Sequence, residues 1–309
     1  MKRWLCFVLV TLLLLTSVPC ASAQSQGILY RISGGKSNMY LLGSIHIGSP
    51  EMYPFGPAIT DALEKSDILV FECDTESAQA LQSTIRLMSY PMGETLADHV
   101  SEKTIELLRQ TAEKTGYPLG SFLALKPWAV VSLLSIESTA AEMGGENVQQ
   151  AMELGVEKQI TELVKGKKVR YLESAEEQLS IMDGFTPELQ EYMLQTTCMS
   201  ILNPETISDA DAAVRQWPMW WAEGNAEAFA ENYQESFRTD PEPELMREYH
   251  EGLLLRRNRH MAEELRKMLE DDRNHSYFVT VGLLHLVLPE ESVVYELEKL
   301  GYSIEKIMN

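Results

Sequence analysis

Cysteine is scarce in this sequence, and that scarcity limits how the fold can be held together. The 309 residues include four cysteines, and two of them, Cys6 and Cys20, lie in an apolar N-terminal segment. The remaining two, Cys73 and Cys198, are too few for the disulfide framework of a small secreted protein. We therefore expect both to be buried free thiols in a fold that depends on its hydrophobic core.

Positive charge is also in short supply. The chain has 26 Lys and Arg residues against 46 Asp and Glu, which gives a formal net charge of −20 at pH 7. A surface of this sign repels nucleic-acid phosphates and anionic lipid headgroups. The composition therefore argues against nucleic acid as a partner and against adhesion to anionic membranes.

One long apolar run occurs, near the N-terminus. It extends from Trp4 to Val18 after a short basic start, and Ala21-Ser22-Ala23 follows with the small residues that signal peptidase recognises. The run is too short for a comfortable bilayer span. We predict a signal peptide over residues 1–23, no stable membrane insertion after its cleavage, and a secreted mature chain, periplasmic or extracellular. Lipid attachment at Cys20 is not expected, because Pro19 is a poor neighbour for that modification.

The rest of the sequence alternates apolar strand-like segments with long helical stretches. The predicted strands are Ile28–Ile32, Met39–Leu42, Ile68–Phe71, Val169–Leu172, Tyr277–Val281 and Tyr302–Ile307. Helical patterns cover Pro57–Lys65, Ser77–Lys165, Ala175–Glu270 and Pro289–Leu300. Strands without polar alternation are typical of a sheet buried on both faces. We predict a single α/β domain over residues 24–309, with a mixed, largely parallel sheet and long helical insertions.

Four of the predicted strands end at a residue that can bind a metal or move a proton. These residues are His46, Glu72, Glu173 and His285. Because ligands gather beyond the carboxyl ends of parallel strands, we expect the four side chains on one rim of the sheet. Two imidazoles with one or two carboxylates suit a divalent cation. Each His also follows a glycine by three residues, and glycine lets the chain leave the sheet sharply.

Simpler explanations exist for each residue taken alone. A single Gly-x-x-His tetrapeptide arises by chance, and Glu72 alone fits an exposed strand end. Glu173 alone is best explained as a charge that favours the N-terminus of the following helix. The spacing of Trp217, Trp220 and Trp221 favours a helix packed on the core over a binding cleft. The other histidines are predicted at the surface, namely His99, His250, His260 and His275.

Longer motifs around these positions carry a family resemblance. The strongest are Tyr40–His46, Ser66–Glu72 and Val281–Leu286, and weaker ones are Lys126–Trp128, Tyr171–Ser174 with Glu177–Gln178, and Arg257–Asn258. With these motifs the chain resembles the TraB/GumN family, which includes the Tiki metalloproteases, from about Tyr30 to Met308. The resemblance implies a metal-dependent peptidase whose metal residues are His46, Glu72 and His285. Manganese or cobalt is the implied metal, and zinc also suits this ligand set.

The resemblance leaves two residue roles open. Glu72 is either a third metal ligand or the base that takes a proton from metal-bound water. Arg257 is the second catalytic candidate, because a guanidinium can hold a substrate carboxylate or a developing oxyanion. Its simpler explanation is a solvated basic face shared with Arg256 and Arg259. The sequence departs from the family pattern at Arg256, where an acidic residue is frequent, and at Glu157, where Asp is usual.

Three functions compete at this point. The first is an exported metal-dependent hydrolase that acts on peptides or secreted proteins. The second is a non-catalytic protein that binds a metal, or a ligand carrying a metal, on the same rim. The third is an interaction module of an export or polysaccharide apparatus. The sequence contains no His-Glu-x-x-His, Gly-x-Ser-x-Gly, phosphate-binding Gly-rich loop or Cys-x-x-Cys motif, so other common chemistries have little support. The oligomeric state stays open.

Overall fold

The computed structural model describes residues 24–143 and 147–308. The predicted signal peptide, residues 1–23, lies outside the described residues. Within the described part, no helix is both long enough and apolar enough to cross a membrane.

A six-stranded sheet lies at the centre of the molecule. Its strands are β1 Ile28–Ser33, β2 Asn38–Ser44, β3 Ile68–Cys73, β4 Lys168–Glu173, β5 Ser276–Gly282 and β6 Ser303–Ile307. They are arranged in the order β4-β3-β5-β2-β1-β6. The neighbours from β4 to β2 are parallel, whereas β1 pairs antiparallel with both β2 and β6. The predicted mixed, largely parallel α/β fold is confirmed. So is the N-terminal hairpin, in which Ile28 pairs with Gly43 and Ile32 with Met39.

Helices fill most of the chain between the strands. In chain order they are α1 Pro57–Lys65, α2 Ala78–Met88, α3 Glu102–Thr115, α4 Leu119–Leu123, α5 Pro127–Glu142, α6 Val148–Glu153, α7 Val156–Leu163, α8 Ala175–Asp183, α9 Pro187–Leu202, α10 Asp209–Ala212, α11 Trp217–Glu223, α12 Ala226–Thr239, α13 Pro243–His250, α14 Arg256–Leu269, α15 Leu284–Val287 and α16 Val293–Lys299. A π-helical turn, Glu251–Leu255, joins α13 to α14. Short 3₁₀ helices occur at Pro50–Met52, Leu96–Asp98, Pro204–Thr206 and Ala213–Gln216.

Proline and small polar residues set the helix starts. Pro57, Pro127, Pro187 and Pro243 each lie in the first turn of a helix, where the missing N–H has no partner to lose. Ser174 caps α8, because its hydroxyl oxygen accepts the Glu177 N–H. The Glu177 carboxylate accepts the Ser174 N–H in return, which completes a capping box. Proline therefore marks the start of several of these helices.

The last helix starts later than the sequence suggests. Pro289 is the expected first residue, but α16 begins at Val293, with Ser292 as its N-cap accepting the Tyr295 N–H. Glu290 has a φ of 61°, in the left-handed region that a right-handed helix cannot pass through. The four residues before α16 therefore form a loop.

The central strands bury both faces of the sheet. Leu42 and Phe278 belong to the apolar cluster on one face, and Leu41 and Val279 to the cluster on the other. The expectation of double-sided burial holds at the centre but not at β4, an edge strand where Tyr171 is exposed.

The long helical insertions carry a core of their own. Leu108 of α3, Val130 of α5 and Leu194 of α9 pack in one apolar cluster with Cys198. Both cysteines are free, but only Cys198 is buried, and Cys73 is half-buried with its thiol donating to Gln178. The expectation of buried free thiols is therefore met in full at Cys198 and in part at Cys73.

Candidate functional site

Two buried carboxylates at strand ends share one arginine. Glu72 ends the apolar part of β3 and Glu173 ends β4, and less than a tenth of either side chain is exposed. Arg257, on the first turn of α14, donates through Nη2 to Glu72 Oε1. Its Nε and Nη2 donate to Glu173 Oε2 at 3.1 and 2.9 Å. The remaining terminal nitrogen, Nη1, donates to the Leu253 carbonyl at 3.3 Å. Each guanidinium nitrogen therefore has at least one protein acceptor.

Further contacts fix the Glu72 carboxylate. Gln178 Nε2 donates to Oε1 at 2.6 Å, and the Gly282 N–H donates to Oε2 at 2.8 Å. The same oxygen, Oε2, lies 3.9 Å from His285 Nε2. A Cβ on Gly282 would come within 3.3 Å of Oε2, so glycine leaves room for this approach. Glu72 and His285 thus form the first half of the candidate site, the Glu72 pair.

His285 is held in one tautomer. Its Nδ1 lies 2.5 Å from Asn258 Oδ1, and Asn258 Nδ2 donates at 2.5 Å to the Glu291 carbonyl. Since the Asn258 amide nitrogen has its own acceptor, its oxygen must accept, and His285 Nδ1 must carry the proton. This orients His285 Nε2 towards Glu72 with its lone pair free.

His46 occupies the second half of the site, with Glu157 beside it. Its Nδ1 lies 2.9 Å from Glu157 Oε1, an oxygen that also accepts from Ser44 Oγ at 2.5 Å. The His46 side chain is 68% exposed, in contrast to the buried Glu72 and His285. His46 and Glu157 therefore form a pair at the surface of the rim, the His46 pair.

Close backbone contacts hold the loop of residues 45–49, the His46 loop, in place. The Val156 N–H donates to the Ile45 carbonyl at 3.1 Å, and the Gly48 N–H donates to the Ala151 carbonyl at 2.8 Å. A Cβ on Gly155 would lie 2.3 Å from the His46 carbonyl oxygen. On the other side, the buried Trp221 indole donates to the Gly43 carbonyl at 2.8 Å. The expectation that this tryptophan packs in the core is confirmed, and it supports the first Gly-x-x-His motif directly.

The surroundings shift the pKa values of the five ionisable groups at the rim in different directions. Burial lowers the pKa of His285, and the nearby Glu72 offsets this only partly, so the imidazole is neutral at neutral pH. Burial by itself would raise the pKa of Glu72, but the positive groups around it and the Gly282 N–H bring it well below its usual value. Glu157 raises the pKa of His46, and His46 in turn helps to lower that of Glu157. Burial raises the pKa of Glu173, against the opposing effect of Arg257.

The Glu72 pair and the His46 pair are too far apart to form one ligand cluster. Over residues 24–143 and 147–308, no group of three or more His, Cys, Asp or Glu side chains lies close enough together to hold a metal ion. The pairs do influence each other, because Glu72 contributes to the raised pKa of His46. The ligand set of His46, Glu72 and His285 therefore stays a prediction.

Comparison with known proteins identifies the family. The model of the TraB/PrgY/gumN family matches residues 28–306, nearly the whole described chain. The chain belongs to the TraB/PrgY/gumN family. The resemblance noted from the sequence motifs is thus confirmed.

Two curated relatives of this TraB-family chain match at lower coverage. The uncharacterized protein YbaP of Escherichia coli strain K12 and YbaP of Shigella flexneri are each 27% identical to it over 150 residues. Each match covers 48% of this chain and 53% of YbaP, so the chain spans about half the length of these relatives. No solved structure matches the chain at a significant level.

The structure brings together most of the strand-end residues predicted for this family member. Glu72, Glu173 and His285 are buried near Arg257, so the exposed strand end considered for Glu72 is wrong. Glu173 does precede Ser174, the N-cap of α8, but its carboxylate is paired with Arg257. The solvated basic face is also wrong for Arg257, which is 7% exposed, although Arg256 and Arg259 do face solvent. Each of its three guanidinium nitrogens donates to a protein acceptor.

For some residues in and around the candidate site, the sequence does not indicate a role or indicates the wrong exposure. Asn258 and Gln178 were noted within motifs without a role, and Glu157 was noted only as a departure from Asp. Each contacts a predicted site residue. His250, expected at the surface, is only 12% exposed and lies between Tyr233 and Glu291. The signal for Asn258 was its place directly after Arg257 on a helix, but a sequence pattern does not show which strand end a helix faces.

Replacing Asn258 by alanine is expected to lower the free energy of unfolding by about 1–3 kcal/mol, because it leaves a buried imidazole N–H and a carbonyl without partners. Urea denaturation of the two proteins measures the difference. Arg259→Ala, on the exposed side of the same helix, is the control and should change stability by less than about 0.5 kcal/mol. Equal effects of the two substitutions would show that Asn258 does not fix His285.

Proposed function

We propose that this TraB-family protein is an exported metal-dependent hydrolase that acts on peptides or secreted proteins. One observation carries the proposal: the Nδ1 atoms of His46 and His285 are both held by side-chain oxygens, from Glu157 and Asn258. This is the arrangement that orients metal-binding imidazoles, because it leaves each Nε2 as the ligand atom.

The charge balance of the rim supports a bound cation. Three carboxylates, Glu72, Glu157 and Glu173, are opposed by Arg257, and by His46 only while its imidazole is protonated and therefore not bound to a metal. His285 adds no charge, since burial keeps it neutral. The rim therefore has a surplus of negative charge, and a divalent cation is the group that neutralises it with imidazole and carboxylate ligands.

The donor set fits manganese, cobalt or zinc. His46 and His285 would hold the metal through Nε2, with Glu72 Oε2 next to His285 as a third ligand or as the base. When bound, such a metal lowers the pKa of a water molecule and polarises a carbonyl group. Glu157 and Asn258 orient the imidazoles, and Arg257, Gln178 and the Gly282 N–H hold Glu72 in position.

A non-catalytic metal-binding protein is the second candidate. It is favoured by the state of Arg257, the residue expected to hold a substrate carboxylate or an oxyanion. The Arg257 donors are directed at Glu72, Glu173 and the Leu253 carbonyl. If no other group on the rim binds substrate, the site holds a cation without turning over a peptide.

Metal binding and peptide cleavage by the mature protein test the proposal. Calorimetric titration with Mn²⁺, Co²⁺ or Zn²⁺ should detect micromolar or tighter binding, and a peptide library should be cleaved with the metal present but not with a chelator. His46→Ala and His285→Ala should each weaken binding by at least about tenfold. The control is His99→Ala, which alters another partly exposed His that is paired with a Glu.

The possible outcomes separate the two candidates. Tight binding with cleavage supports the hydrolase, and tight binding without cleavage of any peptide supports the binding protein. If the wild type binds none of the three metals at micromolar concentration, both candidates are wrong. Export is tested separately by N-terminal sequencing of the protein after expression in a bacterial host, which should show a start at Gln24.

A further inference from the structure

Glu173 is a buried charge that the proposed reaction does not use. Among the described residues it has no hydrogen bond to His46 or His285. Its carboxylate instead accepts hydrogen bonds from the Nε and Nη2 edge of the Arg257 guanidinium. Nε donates to both carboxylate oxygens, at 3.2 and 3.1 Å, and Nη2 donates to Oε2 at 2.9 Å. Such a two-nitrogen contact fixes the plane of the guanidinium as well as its position.

The fixed plane determines where the remaining hydrogen of Nη2 points. One Nη2 hydrogen is directed at Glu173, and the planar geometry sends the other away from it, where Glu72 Oε1 accepts it. Glu72 then lies with its second oxygen on the Gly282 N–H and 3.9 Å from His285 Nε2. The contacts therefore connect Glu173 of β4, through Arg257, to Glu72 of β3.

Charge neutralisation alone does not explain Glu173. Arg257 and Glu72 would already form a neutral pair, and a second buried carboxylate next to them adds a desolvation penalty together with repulsion. A residue that costs stability and fixes the orientation of its partner is better explained by the position it imposes.

We propose that Glu173 is a positioning residue, which acts through Arg257 to hold the Glu72 carboxylate against Gly282 and His285. The inference rests on the proposed function only for the use of Glu72, because the position of Glu72 can be measured without any metal.

Hydrogen exchange at Gly282 reports that position. Its N–H donates to Glu72 Oε2, so the amide loses protection when the carboxylate moves. In the metal-free protein, Glu173→Gln should speed exchange at Gly282 by about tenfold or more, because the neutral amide loses the charge-assisted bonds to Arg257 and replaces one acceptor oxygen with an NH2 donor. The control is Glu176→Gln, the same change at a half-exposed Glu that pairs with Arg86, and it should leave the exchange rate unchanged.

A double-mutant cycle separates positioning from a general loss of stability. In the Arg257→Lys background the charge stays, but the planar fork that connects the two carboxylates is gone. There, Glu173→Gln should change Gly282 exchange by less than about twofold, since coupled residues show non-additive effects. Equal effects in both backgrounds, or unchanged exchange in Glu173→Gln itself, would overturn the inference.

Metal binding provides the second readout. If Glu72 serves the metal, Glu173→Gln should weaken Mn²⁺ or Co²⁺ binding by about 10- to 100-fold, as loss of an outer positioning group does. A wild type that binds no metal while Gly282 exchange still responds to Glu173→Gln would refute the proposed function but support the positioning role. Metal binding by the wild type with no change in Glu173→Gln, in either binding or exchange, refutes the positioning role alone.

Discussion

Replacing Arg257 by alanine is expected to lower the free energy of unfolding by about 3–5 kcal/mol, the range found when one partner of a buried ion pair is removed. Arg257 is 7% exposed and bridges Glu72 and Glu173, which are equally buried. Without the guanidinium, two buried carboxylates that repel each other lose the cation they share. Urea denaturation at neutral pH, followed by circular dichroism, measures the loss.

Arg256→Ala is the matched control for this experiment. It removes the neighbouring arginine, whose side chain is 69% exposed and pairs only loosely with Glu251 at 3.6 Å. Its effect on the free energy of unfolding should stay within about 0.5 kcal/mol. A loss below about 1 kcal/mol for Arg257→Ala would mean that solvent reaches the two carboxylates, which contradicts their burial.

Gly48→Ala is expected to destabilise the protein by about 3 kcal/mol, at the upper end of the usual penalty for overpacking. A Cβ at this position would lie 1.7 Å from the Leu154 carbonyl oxygen and 2.4 Å from its carbon. Both atoms belong to the backbone, so no side-chain rotation relieves the clash. The His46 loop has to move away from Leu154. This movement also breaks the hydrogen bond from the Gly48 N–H to the Ala151 carbonyl.

Gly120→Ala provides the opposite case within the same chain. Gly120 lies in α4 with open space where its Cβ would be and without a positive φ. Alanine there should be neutral or should raise the free energy of unfolding by up to about 1 kcal/mol, because it reduces the conformational entropy of the unfolded chain. Thermal denaturation of both variants tests the pair. Similar midpoints for Gly48→Ala and wild type would show that the loop has a second packing.

The strand-end residues could be predicted from the sequence because local signals converge on them. Each central strand is a short apolar segment, and a polar residue directly after such a segment must leave the sheet at its carboxyl end. The parallel pairing of β2, β3, β4 and β5 brings these ends to one rim. His285 and Glu72 were placed correctly on this basis alone, with their side chains 3.9 Å apart.

The helix-borne part of the site could not be predicted in the same way. Asn258 meets His285 across 27 residues and Arg257 meets Glu72 across 185, so the angle at which α14 packs decides both contacts. Glu157 reaches His46 because α7 starts beside the His46 loop. The hydrogen bond from the Val156 N–H to the Ile45 carbonyl holds the helix start there. No periodicity in the sequence encodes such packing, which depends on tertiary contacts alone.

The position of β5 in the sheet sets the order in which the protein can fold during synthesis. β5 covers residues 276–282 but lies between β2 and β3, which are complete by residue 73. Until about two hundred further residues have been made, the inner edges of β2 and β3 lack their shared neighbour. Open strand edges of this kind invite pairing with other chains. A growing chain of this topology therefore gains most from a holding chaperone in the period before β5 emerges.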